Sequence, residues 1–116
     1  MKHLKKGKKF GRKAGQRRAF LKGLISNFVL KEKITTTDAR AKALKRDAEK
    51  MITLAKKQTV ASLRLLMARL PKKSAEKLYY EIAPRYTGRS GGYVRVIKQS
   101  KRRVGDSAKT AIVELV

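Results

Sequence analysis

The chain of 116 residues contains no cysteine and no tryptophan, one histidine and two prolines. Without cysteine it has neither disulfides nor thiolate metal ligands, and a reducing compartment is allowed. His3 cannot build a zinc site by itself, so no metal and no cofactor are expected. Acids are scarce: eight Asp and Glu stand against thirty-two Lys and Arg. Seven of the eight lie close to a Lys or Arg in sequence and read as surface or capping charges, and the eighth, Glu114, falls in the last predicted strand. No carboxylate pair has metal-like or acid–base spacing, so an enzyme is the remotest reading. No apolar run approaches the roughly 20 residues of a membrane span. Arg17, Arg18 and Lys22 interrupt any apolar stretch of a secretory signal, while an Arg-rich, acid-poor start keeps a mitochondrial transit segment as an alternative.

What the chain has is positive charge. The formal balance is +24, and a compact body of this size repels itself unless a polyanion neutralises it. The hydrophobic fraction of 41% is enough for a small core, which excludes a wholly disordered basic tail. Nucleic acid is the expected partner, with an anionic membrane surface as a weaker option. No small-molecule substrate is indicated.

Residues 1–22 hold ten Lys and Arg and no acid. MKHLKKGKKFGRKAG has only Met1, Leu4, Phe10 and Ala14 as apolar groups. This predicts an extended basic arm over 1–15, ordered by a partner, ahead of one globular domain over 16–116. A first helix follows, with Phe20, Leu24, Phe28 and Leu21, Ile25, Val29 forming a broad apolar stripe. Arg17 and Arg18 at its start oppose the helix dipole, which points to an anion nearby. Lys33 to Thr37, KITTT, reads as a strand. Thr36 or Thr37 then caps a long helix with Leu44, Ala48, Met51 and Ala55 on one face. Arg40, Lys42, Arg46 and Lys50 fall elsewhere on it. Asp47 with Lys50, and Glu49 with Lys45, read as ordinary surface pairs.

Thr59 opens a third helix through Leu63, Leu66, Met67 and Leu70, stopped by Pro71, with the Leu and Met stripe expected in the core. Ser74 opens a fourth, through Leu78, Tyr79 and Ile82, ended by Pro84. Arg85 to Ser90 reads as a loop. Tyr93 to Lys98 alternates as a strand, Val94 and Val96 on one face and Tyr93, Arg95 and Ile97 on the other. Residues 99–108 connect to a last strand, Thr110 to Val116, with a turn at Gly105-Asp106. The fold class is α+β, in the order α-β-α-α-α-β-β: two layers, a three-stranded sheet with helices on one face, and the basic arm. The other face would show Tyr93, Arg95, Ile97, Ile112 and Glu114, and another protein or RNA is expected to cover it. Arg95 and Glu114 are placed to pair across the strands.

Candidate RNA-binding residues fall in three parts. The arm offers Lys2, His3, Lys5, Lys6, Lys8, Lys9, Arg12 and Lys13; Arg17, Arg18 and Arg40 are further candidates on the first two helices. The late loop and strand offer Arg85, Arg89 and Arg95. A hairpin tip would project Lys101, Arg102 and Arg103. Such contacts bind phosphates and set position, not sequence, and arginine suits bidentate contacts best. Tyr93 either stacks on a splayed base or packs in the sheet. GRSGG, Gly88 to Gly92, lacks the spacing and the strand-to-helix setting of a nucleotide-binding loop. A DNA-compacting protein shares the charge pattern, but no helix-turn-helix spacing or wedge residue favours duplex DNA. A membrane-active reading of Arg17 to Leu30 conflicts with the need of the other apolar segments for a packing partner.

Several segments together resemble the bacterial large-subunit ribosomal protein seventeen family. They are MKH at Met1 to His3, GKKFGR at Gly7 to Arg12, QRRAFLKG at Gln16 to Gly23, ITTTDARAKALKR at Ile34 to Arg46 and ITLAK at Ile52 to Lys56. APRYTGRSGGYVRVIK at Ala83 to Lys98 and GDSAKTAIVELV at Gly105 to Val116 complete the set. The resemblance covers essentially the whole chain in order. It departs at Gln16, Gly23, Val94, Ser107 and Lys109, where the family commonly carries His, Asn, Thr, Asn and Pro. It implies a non-enzymatic component of the large ribosomal subunit, in the bacterial cytoplasm, that binds large-subunit rRNA near the peptide exit side. It also implies contact with neighbouring subunit proteins, ribosomal protein thirty-two among them.

Overall fold

The structure, a computed structural model, describes residues 10–116. Helix α1 spans Ala14–Lys31, so the helix begins inside the segment expected to be arm. Gln16 explains the early start: its Oε1 accepts from the Lys13 backbone N–H at 3.4 Å, satisfying a donor at the helix entrance. Ile25, Phe28 and Val29 are buried, and Leu24 packs at the core's edge. Glu32 ends the helix in the left-handed region, φ 63°, an uncommon conformation for a residue with a side chain. Its N–H donates to Phe28 O at 2.6 Å. The carboxylate is held by Arg85 and, at 3.4 Å, by Lys77. This turn delivers the chain straight into strand β1, Lys33–Thr37.

Helix α2, Asp38–Ala55, is capped by Thr37, whose Oγ1 accepts from Arg40 N at 3.4 Å. Asp38 in the first turn pairs with Lys42 at 3.4 Å, favourable both to the dipole and as an i,i+4 pair. Ala41, Leu44, Ala48, Ile52 and Ala55 are buried, and Met51 lies at the margin. The small Ala41, Ala48 and Ala55 let α2 lie close across all three strands.

Helix α3, Val60–Arg69, opens with Thr59 as expected: Ser62 N donates to Thr59 Oγ1 at 3.1 Å, and Thr59 N to Ser62 Oγ at 3.2 Å. Leu66 and Leu70 are buried, but Met67 is 39% exposed, so the expected core stripe is narrower than its sequence pattern. Helix α4, Lys72–Lys77, starts directly after Pro71, two residues before the expected opening at Ser74. Ser74 does not cap. It is fully buried and its hydroxyl meets that of Ser26 on α1. The chain then continues through a π-helical turn, Leu78–Ile82, and a 3-10 turn, Ala83–Tyr86. Pro84 therefore does not end the helical path. It sits in the first turn of the 3-10 segment, where its missing N–H costs little. The expected loop over 85–90 accordingly loses Arg85 and Tyr86 to this turn, which carries Tyr86 into the core, its hydroxyl donating to Val116 O at 2.8 Å.

Strands β2, Val94–Arg102, and β3, Lys109–Leu115, form a hairpin, and the antiparallel sheet has the order β1-β3-β2. β2 runs four residues beyond the expected Lys98, with an irregular register between Lys98 and Arg102. Val94, Ala111 and Val113 point into the core. On the opposite face Thr35, Ile112 and Ile97 form one row, and Lys33, Glu114 and Arg95 the next. Tyr93 is the correction to the expected outer face. It precedes the strand, after Gly92 at φ 66°. That turn breaks the alternation, and Tyr93 is 1% exposed.

Candidate nucleic-acid interface

At the start of α1, three side chains assemble around the Phe20 ring. The Arg12 guanidinium lies 4.1 Å from the Phe20 ring centroid, and Arg40 reaches the same ring at 4.9 Å. Phe10 packs beside it with centroids 5.5 Å apart, and Arg12 Nη1 donates to Phe10 O at 2.8 Å. The fold thus joins Arg12 and Arg40, which the sequence separates by a helix and a strand. The ring's negative face holds cations with their outer edges available to phosphate. Lys13, Arg17 and Arg18 continue this surface, and the first turn of α1 holds no acid. Lys2, His3, Lys5, Lys6, Lys8 and Lys9 lie outside the described residues.

Arg85, Arg89 and Arg95 do not form one cluster. Arg85 binds Glu32. That bond holds the Glu32 carboxyl below its ordinary range and raises the guanidinium. Arg85 is therefore chiefly a clamp on the strained end of α1. Arg89 folds back on its own loop, Nε donating to Gly91 O at 3.0 Å. Arg95 stands on the outer sheet face, Nε donating to Glu114 Oε1 at 2.6 Å.

Tyr93 takes the packing role. Its ring lies against Tyr86, centroids 5.2 Å apart, and its hydroxyl accepts from Lys56 Nζ at 2.8 Å. That bond lowers the phenol's pKa. Its burial leaves no ring face for a base. Lys56 also donates to the Arg89 carbonyl, which fastens the loop to the end of α2.

The hairpin carries Lys101 and Arg102 at the end of β2 and Arg103 just beyond it, all exposed. Arg103 Nε donates to Asp106 Oδ1 at 3.1 Å, and this bond draws the Asp106 carboxyl down to about 2. The tip is therefore a fastened turn whose net cations are Lys101 and Arg102. Below it, a hollow of about 260 Å³ gathers Lys98, Arg102 and Lys109 near the start of α2.

A further surface escaped the sequence reading. Lys42, Lys45, Arg46 and Lys50 line one wall of a concavity of about 530 Å³, opposite Gly91 and Gly92. The expected surface pairs on this wall are rearranged. Asp47 contacts Arg46 at 3.9 Å, and Glu49 Oε1 accepts from Val94 N at 3.4 Å, bracing the start of β2. The signal was present in the 42, 46, 50 spacing, which marks one helical face. Only the fold brings the glycine loop opposite.

Cations gathered at the start of α1, a hairpin tip and a groove, around a small α+β body that uses six of its eight acids in contacts of its own, define a class: a small, strongly basic scaffold protein. The model of the Ribosomal protein L17 family matches residues 20–116. The chain is similar throughout its length to proteins named large ribosomal subunit protein bL17. It is 47% identical to that of Pelobacter propionicus, covering 91% of the relative, and 48% identical to that of Fusobacterium nucleatum, covering all of it. It is 49% identical to that of Persephonella marina, covering 95%. The chain belongs to the ribosomal protein L17 family.

Proposed function

We propose that this chain is a structural constituent of the large ribosomal subunit in the bacterial cytoplasm, binding large-subunit rRNA and supporting subunit assembly and translation without catalysing a reaction. The relatives' shared name supports the placement. The observation that carries the mechanism is the use of the acids. Glu32, Asp38, Asp47, Glu49, Asp106 and Glu114 all serve contacts within the fold, so the cation excess is left to a polyanion. The basic arm, the Phe20 cluster and the hairpin neutralise phosphates, while the rigid body holds RNA segments at fixed separations. The outer sheet row of Thr35, Ile112 and Ile97 is suited to a neighbouring subunit protein, with ribosomal protein thirty-two the expected one.

Sucrose-gradient sedimentation of a native lysate, at moderate and high salt, tests this reading. The chain should travel with the large subunit and persist when salt strips loosely held basic proteins. Remaining at the top, or moving only with DNA, would overturn it.

A further inference from the structure

The concavity between α2 and the Gly91-Gly92 loop has a chemistry that its parts do not show separately. One wall presents Lys42, Lys45, Arg46 and Lys50 from successive turns of a single helix face. Lys42 and Arg46 each approach an acid outside that wall, Asp38 and Asp47. Lys45 and Lys50 are exposed and form no ion pair among the described residues. The facing wall is the Gly91-Gly92 backbone, with Tyr93 beside it. Its two glycines are present for different reasons. Gly92 has φ 66°, which its turn requires. Gly91 has no positive φ, and a Cβ placed there would meet nothing within 4 Å. Neither the turn nor internal packing needs a glycine at 91. What a glycine does there is keep one wall of a cation-lined groove open to close approach.

We propose that this groove seats a single-stranded RNA backbone, with Lys45 and Lys50 meeting successive phosphates and the Gly91 backbone bordering the sugar. The inference rests on the rRNA-binding reading above and deepens it. The shape selects the strand state. The cavity volume is that of a small-ligand site, which admits a stretch of one strand. A duplex is too broad to enter a hollow of this size, so only a single strand reaches both walls. Glu49 is the one acid on the wall, and its charge opposes a phosphate there.

The test uses the full chain and a fluorescein-labelled single-stranded oligouridylate, with binding followed over a salt series. Lys45→Ala/Lys50→Ala should weaken binding and make the logarithmic salt dependence shallower by about 1.4, from about 0.7 per single-strand phosphate contact. The control Lys72→Ala/Lys73→Ala removes equal charge elsewhere and should change the slope by less. Gly91→Leu leaves every charge in place and should weaken binding severalfold with an unchanged thermal midpoint. Glu49→Gln keeps an acceptor for Val94 N and should tighten binding severalfold, an outcome that misfolding does not produce. If the wild-type chain binds and these variants match the control, the groove is not a strand site and the rRNA reading stands. Duplex RNA bound in preference to the single strand, with the same variants affected, would overturn the strand assignment. No binding of the oligouridylate by the wild-type chain would overturn the strand proposal, while the rRNA reading falls only if the sedimentation experiment fails.

Discussion

Arg95 and Glu114 face each other across β2 and β3, and the Arg95 guanidinium donates to a carboxylate that also has Lys33 at 3.8 Å on its far side. One acid thus links all three strands on the outer face. The Arg95 side chain is 60% exposed, so water screens the pair and its contribution to stability is below about 1 kcal/mol. The consequence is for binding. A cation already facing a carboxylate attracts phosphate less than an unpaired one. Arg95→Ala should flatten the salt dependence of rRNA binding less than Arg102→Ala does, read by filter binding across a salt series. An equal effect would show that Arg95 leaves Glu114 for the RNA.

Replacing Lys101, Arg102 and Arg103 together with Ala should lower rRNA affinity and flatten the salt slope. An unchanged slope would remove the hairpin from the interface.

Asp106 gives the hairpin tip a pH signature. Its carboxyl is drawn from 3.8 to about 2 by Arg103 and by the Ala108 N–H. A lowered folded value means that the stabilisation is present above the unfolded value near 3.8 and is lost as pH falls through about 2. A carboxyl-detected NMR titration should give a midpoint near 2 for Asp106, moving up toward the ordinary range in Arg103→Ala. No movement would show that Arg103 does not hold the turn.

Ser26 and Ser74 each bury a hydroxyl whose partner is the other. Removing one strands its partner in the core, at a cost of about 1–3 kcal/mol. Ser74→Ala should therefore lower stability by that amount in urea unfolding, and Ser26→Ala/Ser74→Ala should cost less than the sum of the singles. Additive losses would mean that the hydroxyls act independently.

Tyr93→Phe removes the hydroxyl and with it the bonds to Lys56 and Arg89. It should cost about 1 kcal/mol and leave rRNA affinity unchanged. Tyr93→Ala removes a buried ring and should cost about 3–5 kcal/mol, in the range of large aromatic deletions. A loss of affinity in Tyr93→Phe at full stability would return the residue to the interface.

Most of the architecture was legible locally. The α2 stripe, the Thr59 cap and the KITTT strand depend on helical and strand periodicity and on capping, which act over a few residues. Where Pro84 stood, the pattern predicted an end, and the chain passed through in a tighter turn because Tyr86 had a core site and Val116 O to reach. Met67 followed the apolar spacing of α3 yet remains partly exposed, since periodicity marks a face and not what stands opposite it.

The sequence by itself determined the charge excess, the lack of thiol chemistry, the order of elements and the family likeness, all properties of composition and short-range pattern. The tertiary structure alone decided which cations act together. It brought Arg40 to Arg12 over Phe20, spent Arg85 on the strained Glu32, tied the buried Tyr93 to Lys56 and set Gly91 opposite Lys45 and Lys50. The physical reason is common to all four. Each is a contact between residues distant in the chain, and its partner is fixed by how helices and sheet close around the core and not by any local spacing.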